Sequence, residues 1–154
     1  MQKISLNGNW KVKNVLTGAE YPATVPGDIH NDLVKANVIP DPYYSDNANK
    51  CGWVTEQDWL YETTFTVTKE MLQSKLKLVF AGIDTYSEIL VNGKKIADTD
   101  NMFLRYDFVV NDYVKEGENT LAVNLISIKE AAKQFPEEGY FGCFNVQRIF
   151  MRKA

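Results

Sequence analysis

LVFAGIDTYSEILVNGKKI, from Leu78 to Ile96, decides the fold. Lys75 to Ala81 sets Leu76, Leu78 and Phe80 at alternate positions, the period of a strand with one apolar face. A turn at Gly82 leads into a second run, Thr85 to Val91, which ends at Asn92-Gly93. Asn-Gly between apolar runs is the strongest short hairpin signal, because a type I′ turn needs positive φ at both central residues. The hairpin therefore joins Ser87–Val91 to Lys94–Ala97.

The same period recurs on either side. Trp59 to Thr68 sets Tyr61, Thr63, Phe65 and Val67 against Leu60, Glu62, Thr64 and Thr66, so one face is largely apolar and the other mostly polar. Leu104 to Val110 and Asn119 to Ser127 are further strands, with a turn around Gly117 between them, and Asn145 to Met151 reads as the last. Ile4 to Asn14 is expected to bend or bulge near Gly8, and Ala23 to Val25 is a short extended piece before Pro26 and Gly27. Helices are expected at two places. Asp28 is placed to cap a short helix carrying Ile29, Leu33 and Val34 and ending near Asn37, and Ile128 to Gln134 forms another before Pro136. Roughly eight strands with two short helices predict a mainly β protein, a β-sandwich of two antiparallel sheets in a jelly roll.

Between Ile39 and Asp58 the chain has no clean period. IPDPYYSDNANKCGWVTEQD holds two prolines, two tyrosines and a tryptophan among Asn and Asp residues, and is read as a long ordered loop. Loops carried on a rigid scaffold are where function concentrates.

Composition narrows the function. The chain has 154 residues, 45% of them hydrophobic and 24% charged, which fits one globular domain. Its formal charge of −3 gives no reason to expect nucleic acid or an anionic membrane as partner. The length falls well short of the roughly 250 residues of a TIM barrel. Cys51 and Cys143 are too few for a disulfide framework and His30 is the only histidine, so neither a metal centre nor a cofactor is expected. Asn7, Gly8 and Asn9 interrupt any export signal, and no run is long enough to span a membrane, so a cytoplasmic location is expected.

Val25-Pro26-Gly27, His30 with Asp32-Leu33, Ile39 to Tyr44, Trp53-Val54, and Asp58-Trp59 with Tyr61 together form a pattern that resembles the N-terminal domain of glycoside hydrolase family 2 β-mannosidases. Leu78 to Ile96 is similar to that family's central hairpin, Asn101-Met102-Phe103 with Tyr106 and Phe108 to its next segment, and Leu6 to Trp10 to its opening. Cys51 lies outside the pattern. The resemblance implies a galactose-binding-like jelly roll of 154 residues, an excised piece that packs beside downstream immunoglobulin-like and TIM-barrel domains. It further implies that the two glutamates performing retaining hydrolysis of terminal β-mannosides belong to the barrel, so no catalytic residue is expected in this chain. An autonomous carbohydrate-binding module is the alternative, with weak or no affinity for mannose-containing glycans expected of the isolated domain under the first reading.

Aromatic faces suit the apolar side of a sugar ring, while Asp and Asn suit its hydroxyls. Tyr44, Asn47 and Trp53 are accordingly the candidates for a substrate rim or interdomain contact, beside the plainer reading that they pin a long loop. Trp59 and Tyr61 enter the strand and are read as core. His30 lacks a nucleophile partner and is assigned to packing at the helix surface. Asp98 to Asn101 could offer oxygens to calcium but reads as a turn. An exposed apolar patch is also expected, where a neighbouring domain would sit.

Overall fold

The computed structural model describes residues 3–133. Strands β1 (Gly8–Asn14), β2 (Glu20–Val25), β3 (Trp59–Val67), β4 (Lys77–Phe80), β5 (Ser87–Val91), β6 (Lys94–Thr99), β7 (Tyr106–Val109) and β8 (Gly117–Leu125) form two sheets. One has six strands in the order β2-β1-β3-β8-β5-β6, and the other is the ribbon β4-β7. All pairings are antiparallel. The two apolar faces share one core, in which Trp10, Val12, Tyr61, Ile89, Leu121 and Val123 meet Leu78, with Phe80 and Phe108 packed alongside. This is a mainly β sandwich, as the alternating pattern requires. Each fully buried branched aliphatic chain adds about 1.5–3 kcal/mol.

Register explains the details. Pro22 sits on edge strand β2 opposite Lys11, where its missing N–H breaks no ladder. Thr24 has the same parity, and its N–H donates to Asp32 Oδ1 at 3.2 Å. Asn92 and Gly93 have φ of 51° and 75°, the values that the predicted hairpin turn demands.

Several boundaries differ from the sequence reading. β1 starts at Gly8 instead of Ile4, β2 reaches back to Glu20, β7 is shorter than Leu104–Val110, and β8 spans Gly117–Leu125 instead of Asn119–Ser127. Strand ends are set by partners, which alternation does not reveal. The expected strand Asn145–Met151 lies outside the described residues.

The expectation of two short helices is corrected. Among the described residues there are four, α1 (Ile29–Lys35), α2 (Asn47–Cys51), α3 (Lys69–Leu72) and α4 (Ile128–Ala132), with a 3-10 turn at Gly52–Glu56. The two expected helices are α1 and α4. α2 and the 3-10 turn lie inside the stretch read as loop, and α3 is a single turn capped by Thr68. Segments of four or five residues are too short to display a helical period, and such short helices need tertiary contacts to persist. No helix among the described residues is long and apolar enough to cross a membrane.

Candidate functional site: the loop-bearing end of the sheet

One row of cross-strand partners runs Asn14–Trp59–Leu125–Ser87–Thr99. It marks one end of the six-stranded sheet. The turn 15–19 leaves from Asn14, the stretch 39–58 enters at Trp59, and the loop 100–105 leaves from Thr99. Trp59 and Thr99 stand three strands apart, about 14 Å at the usual strand spacing.

The 39–58 stretch is anchored from below. Asp28 caps α1 by accepting from Asn31 N at 3.0 Å. Asp32, on the buried side of α1, accepts from Thr24 N of β2 and, at 3.0 Å, from the Tyr61 hydroxyl of β3. Burial raises the Asp32 carboxyl above its ordinary value, against the lowering effect of the Tyr61 and Thr24 hydrogen bonds. Gly27 is required in the turn before α1, because a Cβ there would lie 2.3 Å from the Thr24 carbonyl oxygen. Ile39, Cys51 and Val54 are buried in the core. The Cys51 thiol donates to the Pro40 carbonyl at 3.5 Å, and the Trp59 indole N–H donates to the Val54 carbonyl at 2.8 Å. α4 braces the same segment: Ser127 N donates to Asp58 Oδ1 at 2.6 Å, and Lys129 pairs with Glu56 at 2.8 Å, which raises the lysine's pKa.

On this base the three candidates fall in order. Tyr44 is 73% exposed and Trp53 is 37% exposed, with its ring centroid 6.0 Å from that of Trp59 at a 46° tilt. Asn47 N donates to the Tyr44 carbonyl at 3.2 Å, so the fold brings these two together. The Asn47 side chain is engaged within the loop, its amide donating to the Asp41 carbonyl at 3.0 Å and its oxygen accepting from Lys50 at 3.1 Å. Trp53 follows in the 3-10 turn, its ring tilted against the buried Trp59. Trp59 and Tyr61 are core, as read from the sequence. His30 is half-buried on α1.

Sequence reading did not single out the neighbours. Seven of the ten exposed large hydrophobic side chains among the described residues sit on loops at this end: Val15, Leu16, Tyr43, Tyr44, Trp53, Phe103 and Leu104. They are the side chains from which the expected apolar patch would be built. Two of them share a device. Tyr43 N donates to Asp41 Oδ1 at 2.9 Å and Phe103 N to Asn101 Oδ1 at 2.9 Å, each an Asx turn that holds an exposed ring on a fixed backbone. Asx turns leave a signal in sequence, an Asp or Asn two residues before the aromatic, and it marks both places.

Asp98 pairs with Lys95 at 2.7 Å and stands with Thr99 in β6, so the turn expected over Asp98 to Asn101 is corrected: its first half is strand, held by the β5 partners Glu88 and Ser87. Among the described residues no group of three or more His, Cys, Asp or Glu could hold a metal ion.

Three comparisons fit this geometry. Residues 10–154 match the family model described as "Glycosyl hydrolase 2 galactose-binding domain-like". The β-mannosidase of Rattus norvegicus is 40% identical over 135 residues, covering 86% of this chain and 15% of the relative. A probable β-mannosidase of Caenorhabditis elegans is 31% identical over 135 residues. Thus the chain spans about 15% of the length of these relatives. Among solved structures, the β-D-mannosidase from Dictyoglomus thermophilum superposes with a TM-score of 0.83 at 45% identity, covering 88% of this chain and 17% of that one.

Proposed function

This chain belongs to the glycosyl hydrolase 2 galactose-binding domain-like family, and on that premise we propose that it is the non-catalytic N-terminal domain of a β-mannosidase. In this reading the loop-bearing end faces a downstream barrel and helps shape the entrance through which terminal β-mannosides reach the barrel's carboxylates. The observation that carries it is the concentration of exposed rings there: Tyr43, Tyr44, Trp53 and Phe103 all emerge from loops rooted on one row of the sheet.

Chemically, such an end supplies surface and orientation. Aromatic faces stack on the apolar side of a pyranose or on a neighbouring domain, and they are typical anchors at buried interfaces. Proton transfer and nucleophilic attack belong to groups elsewhere. Retaining hydrolysis needs two carboxyl groups about 5–5.5 Å apart, and the resemblance assigns both to the barrel. The Asp carboxylates of the 39–58 stretch are engaged otherwise: Asp41 and Asp58 accept backbone N–H groups, and Asp46 pairs with Lys50.

The test is direct. The chain by itself, incubated with p-nitrophenyl β-mannoside, is expected to release no p-nitrophenol above a buffer blank. Release far above the blank, scaling with protein concentration, would overturn the reading.

A further inference from the structure

The outward face of the six-stranded sheet carries a groove of about 370 Å³ over β1 and β3, lined by Asn9, Trp10, Lys11, Glu62, Thr63 and Thr64. A second hollow of about 210 Å³ continues along the same strands and shares Lys11 and Glu62. The main groove falls within the range of about 300–1,000 Å³ usual for small-molecule clefts.

Lys11 and Glu62 are direct cross-strand partners, a placement at which opposite charges ordinarily pair. Here they stay apart. Among the described residues, Lys13 pairs with Glu20, Lys95 with Glu88 and Asp98, and Arg105 with Asp107, but neither Lys11 nor Glu62 joins an ion pair. The groove thus keeps one ammonium and one carboxylate available on its walls, with the amide of Asn9 and the hydroxyl of Thr64 beside them. Charges of both signs in one cleft disfavour a charged ligand and suit a neutral polyhydroxyl ring. One hydroxyl accepts from Lys11 Nζ and another donates to the Glu62 carboxylate. Trp10 turns its ring to the core side of β1, where its indole N–H donates to the Leu6 carbonyl at 2.8 Å, so the groove offers polar side chains on an outward-facing sheet surface.

We propose that this groove is a saccharide-binding site, separate from the loop-bearing end, which takes a neutral manno-oligosaccharide. The choice of mannose rests on the function proposed above; the groove's preference for a neutral polyol rests on its own charges.

Nitrogen-labelled protein titrated with mannobiose tests it. Weak, saturable binding is expected, with amide shifts centred on Asn9–Lys11 and Glu62–Thr64. Lys11→Met and Glu62→Gln should each weaken binding about tenfold, the worth of one charge-assisted hydrogen bond, while leaving the urea unfolding midpoint unchanged. Shifts confined to residues 41–53 would remove the groove and leave the proposed function standing. No shift at tens of millimolar, or undiminished binding by the double variant, would also overturn the site. The hydrolysis assay above reads the other proposal independently.

Discussion

The two ends of the six-stranded sheet are built on opposite plans. At one end the chain turns tightly and satisfies itself. Asn92 and Gly93 close β5 onto β6. The Asn92 amide donates to the Tyr113 carbonyl and to Asn119 Oδ1, both at 2.8 Å, while Thr120 N donates back to Asn92 Oδ1 at 3.0 Å. Asn119, 1% exposed, also accepts from Lys115 N and donates to the carbonyls of Lys115 and Gly117. At the other end, the turn 15–19, the long 39–58 stretch and the loop 100–105 meet the sheet at Asn14, Trp59 and Thr99, with backbone groups tied down and rings left outside. Short turns whose hydrogen bonds are all internal offer a partner little; loops with fixed backbones and exposed aromatics offer surface. The proposed function rests on this contrast.

The comparison can be broken most forcefully at Trp59. Its side chain supports both β3 and the 3-10 turn, so Trp59→Ala should lower stability by about 3–5 kcal/mol in urea unfolding. Trp59→Phe should lose about 1 kcal/mol, the indole hydrogen bond. A loss for Trp59→Ala near that smaller figure would mean the loop base is not part of the core. At the turn end, Asn119→Ala leaves several buried backbone groups unpaired and should cost about 2–3 kcal/mol. A near-neutral result would show that the tight turns do not depend on their amide network.

Two smaller effects sharpen the picture. The carboxyl of Asp32 is raised by burial above its ordinary value of 3.8. Its contribution to stability is therefore fully present in acid below 3.8 and declines as pH rises through the folded-state value. The wild-type urea midpoint, measured relative to that of Asp32→Asn, should fall as pH rises through this window; a difference flat with pH would contradict the assignment. The smallest effect is expected at Tyr44, where Tyr44→Ala should change stability by less than about 0.5 kcal/mol, because the ring stands in solvent. A loss above about 1 kcal/mol would move Tyr44 from presented surface to structural packing and weaken the contrast between the ends.

Much of this was legible in the chain. Alternation in Trp59–Val67 and the Asn92-Gly93 pair announced the antiparallel sheet, and Asp28 announced the start of α1. The 39–58 stretch announced itself by composition, though not its short helices. Those depend on Cys51, Val54 and Trp59 finding the core from far along the chain. Phe103 and Leu104 were visible only as part of a motif, and nothing local said they would stand at the same end as Trp53.

By itself, then, the sequence determined the period of each strand, the turn that joins β5 to β6 and the presence of an aromatic-rich connecting segment, because those follow from φ/ψ preference and side-chain alternation over a few residues. Only the tertiary structure decided which loops share an end and which charges face each other without pairing. Strand order and register bring together residues as distant as Asn14, Trp59 and Thr99, and no local preference encodes that order.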